Sequence, residues 1–444
     1  MRLFIVTFIL LASIGVAPAF AALAGQAGGI QITSQRAESH FPDDMRFYLT
    51  ARSPNEINEV RVYFKRSGRS AGSAYRTVQF TPGTNITGES VLRTGLGDAY
   101  IPPGTEFEYY FEVRDRAGSV LRGASQPFVY MDSRLSWQSV TSGLVTVYYY
   151  GAQGEANATA ILKAAEDTLK RMGPVLGVAP AKPMRIVAYS NYSDMSGALP
   201  FRAKAVEQQL VTEGQAFSEE RVLLVLASGA NSDGVAEHEF AHLLVAEAAG
   251  SSIAFVPSWL NEGLAEYANP VPVPSYDSAL RRAVQDDRVK PLWHLSTFSG
   301  TPQDIIVFYG QGSAVVQHLL DTYGQAKMAE LFLAVQSTLD IDQALQRVYG
   351  FDQYGLDSQW RKSVGLTALP PRATAVPPSA TLPAGSTPAA TPVAAAPDAT
   401  GRPASAPAQP GAAGCNGSAP DLAWLGLLGL VLGISAVRLR AARD

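Results

Sequence analysis

The chain of 444 residues has one cysteine, Cys415, so no disulfide bond can form within it. A chain of this length buries enough apolar surface to fold without one. An excess of basic residues is also missing, because 35 Lys and Arg stand against 39 Asp and Glu, a formal net charge of −4. Without a basic field there is no electrostatic footprint for DNA or RNA, and nucleic acid is excluded as a partner.

Histidine is scarce as well, with five in the chain, yet two of them, His238 and His242, lie four residues apart. The stretch 233–247 has the pattern of a helix, and residues four apart share one helix face. Two imidazoles in this arrangement can bind one metal ion, and Glu239 can hold a water molecule against it. This is the H-E-x-x-H pattern of zinc peptidases, in which the glutamate is the general base.

A second motif, Trp-Leu-Asn-Glu-Gly-Leu-Ala-Glu-Tyr, follows at residues 259–267. Together with His-Glu-Phe-Ala-His it resembles the gluzincin clan of zinc metallopeptidases, in particular the peptidase MA-like domain. The resemblance covers roughly residues 144–364. It implies that Glu262 is the third Zn²⁺ ligand and that the fourth position stays open for water, as catalytic zinc requires. Trp259 and Leu260 are interpreted as core contacts.

Two further residues take roles from the same resemblance. It implies that Glu266, four residues after Glu262, hydrogen-bonds a ligand histidine and fixes its orientation; a solvated helix surface is the alternative. It also implies that Tyr309 stabilises the tetrahedral intermediate as a hydrogen-bond donor, whereas an ordinary buried tyrosine is the alternative. His294 and His318 have no partner at ligand spacing, so they are interpreted as structural.

The segment Thr212–Phe217 is a short extended piece ahead of an apolar strand. In zincins an edge strand near this place pairs with the substrate backbone, and a glycine-containing loop is the equal alternative here. Gluzincin aminopeptidases carry a G-x-M-E-N element before the metal helix. None occurs in this chain, so aminopeptidase activity is not supported.

The N-terminal part divides into a leader and a β-rich domain. An apolar run followed by Ala19-Phe20-Ala21 predicts a signal peptide over residues 1–21. Residues 28–132 alternate apolar and polar residues in short runs, such as 45–51 and 60–65, separated by turn signals such as Ser53-Pro54. This pattern predicts an immunoglobulin-like or fibronectin-like sandwich, which serves as a spacer or docking module. Its aromatic residues are expected to pack in the core.

Residues 137–366 show strands and a helix, then the metal helix, then further helices. The order predicts an α+β lobe followed by a helical lobe, and it agrees with the zincin-like fold that the resemblance implies. The expected architecture is therefore an all-β sandwich followed by an α+β zincin-like catalytic domain.

The C-terminal part predicts an anchor. Residues 368–420 are rich in Pro, Ala, Ser and Thr and have the composition of a disordered linker. Residues 422–437 are apolar, and arginines follow in the tail 438–444, which predicts a short transmembrane helix with its basic end in the cytoplasm. A sorting tail that is removed, with Cys415 as the anchor point, is the alternative.

The sequence thus predicts a zinc-dependent peptidase, exported and tethered to the membrane at the cell surface, that acts on peptide or protein substrates. It does not separate endopeptidase from exopeptidase and sets no oligomeric state. The competing hypothesis is an anchored adhesion or binding protein with an inactive zincin-like domain. Because degenerate peptidases usually lose the base or a ligand first, the presence of His238, Glu239, His242 and Glu262 together favours catalysis.

Overall fold

A computed structural model describes residues 29–67, 73–201, 213–229, 231–270, 274–295 and 302–370. The predicted signal peptide, the segment 422–437, the basic tail, Cys415 and nearly all of the linker lie outside these ranges. Within them, none of the helices combines the length and the apolar character that crossing a membrane requires.

The chain forms two compact units. Among the described residues, the first unit consists of those from 29 to 136 together with Gly197–Phe201, and the second consists of Trp137–Ser196 and those from 213 to 370. The first unit is antiparallel β-sheet throughout its described part. Its strands are β1 Gln31–His40, β2 Asp44–Arg66, β3 Ala74–Thr77, β4 Gln79–Phe80, β5 Gly83–Arg93, β6 Thr105–Asp115, β7 Val120–Arg122 and β8 Gln126–Tyr130.

Strand β2 organises this unit. Its first half pairs with β1 and β5, and its second half pairs with β3 and β6. The rings of Phe47 in the first half and Phe64 in the second half stack with centroids 5.7 Å apart, although 17 residues of straight strand would span roughly 55 Å. Since the two rings touch, β2 bends back and the sheet forms two layers, with a register shift between Arg52 and Ile57 at the bend.

The buried alternation of these strands confirms the prediction of a β-sheet region at the N-terminal side; the immunoglobulin or fibronectin assignment stays a prediction. Phe47 and Tyr109 are in the core, as expected. Tyr63 and Tyr110 are half-buried instead, with their rings stacked 5.0 Å apart across neighbouring strands. Consecutive side chains of a strand point to opposite faces of the sheet. The aromatic residues are therefore divided between the buried face and the partly exposed face.

The second unit has a five-stranded sheet followed by helices, which confirms the α+β expectation. In the sheet order β12–β13–β11–β10–β9, the three inner strands are parallel and both outer strands are antiparallel to their neighbours. The strands are β9 Gln138–Ser142, β10 Val145–Tyr149, β11 Met184–Tyr189, β12 Gly214–Phe217 and β13 Val222–Leu226. Every residue of β11 and β13 is buried. The unbroken apolar run of β13 suits a strand covered on both faces, whereas β11 also buries the charged Arg185.

The helices of this unit pack into one apolar core with the sheet. They are α1 Gly154–Leu176, α2 Tyr192–Ser196, α3 Ser232–Ala249, α4 Ser258–Ala268, α5 Pro274–Gln285, α6 Pro302–Tyr323, α7 Gln325–Thr338, α8 Ile341–Tyr349 and α9 Gln353–Ser363. A 3-10 turn at Gly250–Phe255 joins α3 to α4, and another covers Leu292–His294. Helix α1 is followed by Gly177, whose φ of 67° is left-handed, as is common just after a helix end.

Candidate metal centre

Helix α3 lies inside the second unit, with residues buried on all its faces. Apolar residues such as Phe240 and Leu244 fill its surroundings, and both are fully buried. The same enclosure buries His238, Glu239 and His242, of which 1%, 1% and 6% are exposed. Burying three titratable side chains on one helix is costly unless they find partners, so their contacts indicate the function of the site.

Helix α4 supplies the third predicted ligand. Trp259 and Leu260 are fully buried, as predicted for core contacts, and the Trp259 Nε1–H donates to Gln353 Oε1 at 2.9 Å. With the helix held in this way, Glu262 faces the histidines. Its Oε2 is 3.4 Å from His238 Nε2 and 3.6 Å from His242 Nε2, and the two Nε2 atoms are 3.2 Å apart.

These atoms fit a divalent cation. Ligands at 2.0–2.1 Å around a tetrahedral ion are separated by about 3.3 Å, close to all three observed distances. Neither carboxylate oxygen of Glu262 has a hydrogen-bond partner among the described residues, although the side chain is 99% buried. Within the described part of the chain, this is the one group of three or more histidine, cysteine or acidic side chains placed to hold a metal, with all ligand atoms within 4.8 Å of one another.

The other nitrogen of each imidazole faces a polar side chain. His238 Nδ1 is 3.0 Å from Glu266 Oε1, and His242 Nδ1 is 2.9 Å from Asn261 Oδ1. A proton on Nδ1 of His242 satisfies the Asn261 oxygen and leaves the Nε2 lone pair directed at the site. Glu266 lies at ion-pair distance from His238 Nδ1. Sequence analysis named Glu266 but missed Asn261, although it directly precedes Glu262 in the quoted motif.

Electrostatic effects follow the same geometry. Burial acts to raise the pKa of Glu262, yet the neighbouring His242 and His238 outweigh it and lower the pKa to about 2. The acid therefore stays a carboxylate, as a metal ligand must be. For Glu239, burial dominates and raises the pKa, against the opposing effects of His242 and His238.

Glu239 is held by the edge strand β12. Its Oε2 accepts a hydrogen bond from the backbone N–H of Ala216 at 3.0 Å, while its Oε1 has no partner among the described residues. The approach is so close that a Cβ on Gly214 would lie 2.6 Å from Glu239 Cγ. The predicted extended piece before the central strand is therefore an edge strand that contacts the predicted base.

Tyr309 lies on α6 and is 2% exposed, with its ring centroid 6.2 Å from that of His238. The ring of Tyr276 from α5 stacks on it, with centroids 5.3 Å apart and planes 11° apart. Burial raises the pKa of Tyr276, and the charges of Glu266 and Glu262 raise it further. Sequence analysis missed Tyr276, because nothing in its local pattern shows which ring it will face.

A backbone contact fixes the distance between α4 and α6. A Cβ on Gly263 would lie 2.5 Å from the carbonyl oxygen of Gly312, and one on Gly312 would lie 2.8 Å from the carbonyl oxygen of Trp259. Gly263 directly follows Glu262, and Gly312 is three residues after Tyr309. The crossing therefore sets how near Tyr309 comes to the metal ligands.

The remaining candidate histidines lie apart from this group. His294 is in the second 3-10 turn beside Trp293, with ring centroids 5.7 Å apart. His318 is half-buried on α6, and burial lowers its pKa. Neither belongs to the described metal group.

The sequence profile of the Peptidase MA superfamily matches residues 164–365, which include all three candidate ligands. No curated protein matches the chain.

Several solved structures are similar to this chain at low identity. Yeast LTA4 hydrolase in complex with bestatin is 14% identical, with a TM-score of 0.34 over 74% of this chain and 66% of that one. Native leukotriene A4 hydrolase from Saccharomyces cerevisiae is also 14% identical, with a TM-score of 0.33 over 78% and 69%. A bromide derivative of BhCBM56 is 12% identical, with a TM-score of 0.16 over 21% and 88%. These scores are too low to assign a function.

Proposed function

Because residues 164–365 form a metallopeptidase domain of the Peptidase MA superfamily, we propose that the chain hydrolyses peptide bonds with a zinc ion bound by His238, His242 and Glu262. The observation that carries the proposal is the convergence of the three ligand atoms within 4.8 Å, with Glu239 next to them. Two imidazoles and one carboxylate are the ligand set of a catalytic zinc that keeps one position open.

Glu239 is the general base in this proposal. A zinc ion held by His238, His242 and Glu262 would supply Lewis acidity to the scissile carbonyl and to the attacking water. The hydrogen bond from Ala216 holds one oxygen of Glu239 in place, so the other oxygen takes the proton of the attacking water and later passes it to the leaving amine. The raised pKa of Glu239 brings it closer to the range in which a carboxylate both accepts and returns a proton.

Tyr309 is proposed to donate its phenol O–H to the oxyanion that forms on the substrate carbonyl. Its ring is held between the His238 ring and the stacked ring of Tyr276. Glu266 and Asn261 are proposed to orient the two ligand imidazoles through their Nδ1 atoms.

The substrate backbone is proposed to lie along β12. In the antiparallel pair with β13, the carbonyl of Glu213 accepts from Leu226 N–H at 2.7 Å, so Glu213 faces β13. Alternation then turns the backbone groups of Gly214 and Ala216 away from β13, to the side of β12 on which the described residues place no further strand. The Ala216 N–H donates to Glu239 there, so the added peptide would bond to the other backbone groups. A peptide added there as another strand passes next to Glu239.

Export and attachment to the cell surface are part of the proposal and rest on the sequence alone. The predicted signal peptide 1–21, the linker 368–420 and the apolar segment 422–437 support them. The first unit is proposed to be an immunoglobulin-like or fibronectin-like docking module, which its two-layered antiparallel sheet supports.

The test is Glu239→Gln in the full chain, assayed for zinc content and for cleavage of casein. The variant keeps its three ligands and should bind one zinc per chain, while cleavage should fall by roughly 10²–10⁴-fold, the usual share of a general base. Glu247→Gln is the matched control, because Glu247 lies on the same helix and pairs with Arg221 away from the ligands. Equal cleavage by Glu239→Gln and wild type would remove Glu239 from the mechanism. A wild type that binds zinc and cleaves nothing would favour a binding protein.

A further inference from the structure

Arg171 of α1 contacts both helices that carry the metal ligands. Its Nη2 donates to the carbonyl oxygen of Ala268, the last residue of α4. The same nitrogen is 3.5 Å from Oε1 of Glu237 on α3. One guanidinium group therefore joins α3 to α4 at a point that the proposed mechanism does not use.

Glu237 directly precedes His238. It is about 200° around the helix from Glu239, so it points away from the side on which Glu239 lies. The residue is only 7% exposed. A buried carboxylate needs hydrogen bonds or a charged partner, and among the described residues Arg171 forms an ion pair with Glu237.

The contact at Ala268 has a different physical basis. The last carbonyl groups of a helix have no intrahelical partner, and they carry the negative end of the helix dipole. A guanidinium group donates a hydrogen bond to such a carbonyl oxygen, and its positive charge is attracted to the negative end of the dipole. Ala268 comes two residues after Glu266 and six after Glu262, which is about 9 Å along the helix axis from the metal ligand. A shift of this helix end therefore moves both residues that act on the site.

We propose that Arg171 is a positioning residue for the metal centre: by holding Glu237 and the Ala268 carbonyl together, it fixes the spacing between the helix of His238 and the helix of Glu262. The proposal rests on the proposed function insofar as the site binds zinc. Arginine suits this task because its planar group offers several donors in fixed directions, whereas the lysine ammonium is a single flexible charge.

The test measures zinc affinity of the full chain by competition with a chelator, together with the visible spectrum of the cobalt-substituted protein. Arg171→Gln and the double variant Arg171→Gln/Glu237→Gln should both bind zinc roughly 10–100-fold more weakly, the usual effect of losing a group that orients metal ligands, with an altered cobalt spectrum. Lys163→Gln is the control, because Lys163 is on the same helix and its pair with Asp167 is exposed. It should change zinc affinity by less than about twofold.

The double variant separates two effects of losing Arg171: the loss of its contacts between α3 and α4, and the unpaired buried carboxylate that it leaves at Glu237. The double variant has the first effect without the second. Zinc binding that is weak in Arg171→Gln but normal in the double variant would overturn the proposal, as would normal binding in both. If Arg171→Gln does not fold, Arg171→Lys carries the same test: it keeps the positive charge beside Glu237, and binding weaker than wild type is expected. A wild-type chain that binds no zinc would overturn the proposed function. If the wild type binds zinc and Arg171→Lys binds it equally well, only the positioning role of Arg171 is overturned, and the proposed function stands.

Discussion

Both units bury carboxylates, but they surround them differently. In the first unit Asp115 is 2% exposed, and its oxygens accept hydrogen bonds from Ser53 Oγ at 2.8 Å, Asn55 Nδ2 at 3.4 Å and Ser119 N at 2.9 Å. In the second unit Glu262 is as deeply buried, and neither of its oxygens accepts a hydrogen bond from a described residue. In the first unit, hydrogen-bond donors of the protein satisfy the buried carboxylate. In the second unit the Glu262 carboxylate has no such donors, and a bound cation would satisfy it.

The pKa values show the same contrast. Burial acts to raise the pKa of Asp115, but the hydrogen bonds from Ser53, Ser119 and Asn55 outweigh it and lower the pKa. For Glu262 the lowering comes from the neighbouring histidines instead. A buried charge without partners is costly. A buried carboxylate that faces two imidazoles and accepts no hydrogen bonds therefore indicates a metal site more specifically than burial alone does.

The largest effect is expected from Glu262→Gln, which removes the charged ligand. An amide oxygen is a poorer zinc ligand than a carboxylate, so zinc affinity should fall by at least about 100-fold and cleavage should fall to background. Metal analysis after dialysis and the cleavage assay measure both. Asp115→Asn is the control in the first unit and should leave one zinc per chain; zinc retained by Glu262→Gln would contradict the assignment of this ligand.

Tyr309→Phe should have the next largest effect. Losing one donor to an oxyanion typically costs about 10²-fold in turnover, while zinc content should stay unchanged. Steady-state kinetics separate the loss in kcat from KM. The matched change in the first unit is Tyr130→Phe, since the Tyr130 hydroxyl is 2.9 Å from Thr94 Oγ1. That change should cost about 1 kcal/mol of stability with no change in kcat. Unchanged turnover in Tyr309→Phe would make Tyr309 a packing residue.

Gly263→Ala tests the helix crossing. The new Cβ would meet the Gly312 carbonyl oxygen at 2.5 Å, and forcing backbones apart in a packed core costs about 1–3 kcal/mol. Urea unfolding of the full chain measures the loss. Gly95→Ala in the first unit is the control, because nothing lies within 4 Å of its new Cβ, and it should leave stability nearly unchanged. If the two variants were equally stable, the backbones of α4 and α6 would have to lie further apart at Gly263 and Gly312 than described.

Ser53→Ala should have the smallest effect, a slight loss of stability from one lost hydrogen bond to Asp115. The folded-state pKa of Asp115 is lowered, so its contribution to stability is present above the unfolded pKa of ~3.9 and is lost as pH falls through the folded pKa. Losing Ser53 Oγ removes part of that contribution. The stability difference between variant and wild type should therefore narrow below about pH 4; a difference that widens in acid would contradict the assigned bond.

The sequence was most informative where the chemistry is local. His238 and His242 are four residues apart, a spacing that is visible in the sequence and that places them on one helix face. Glu262 was predicted from a motif resemblance. Asn261 contacts His242 across 19 residues, and Ala216 contacts Glu239 across 23. Such pairings depend on how α4 and β12 pack against α3, which no short pattern encodes.

The β region shows a similar limit. Sequence analysis took Ser53-Pro54 as a turn between two strands, but the structure continues as one strand, β2, over 23 residues. Proline lacks the N–H that a sheet ladder uses. Here it lies between Arg52 and Ile57, where the register with β5 shifts. The missing donor therefore interrupts no regular pairing, and the expected turn is a bend in a continuous strand.

The contact between Gly263 and Gly312 has a mechanical consequence. Where backbone touches backbone, there are no side-chain rotamers to absorb a displacement, so we expect α4 and α6 to move together. The separation of Glu262 and Tyr309 is then preserved whenever the protein fluctuates. Any adjustment that admits a polypeptide therefore has to come from elements other than these two helices.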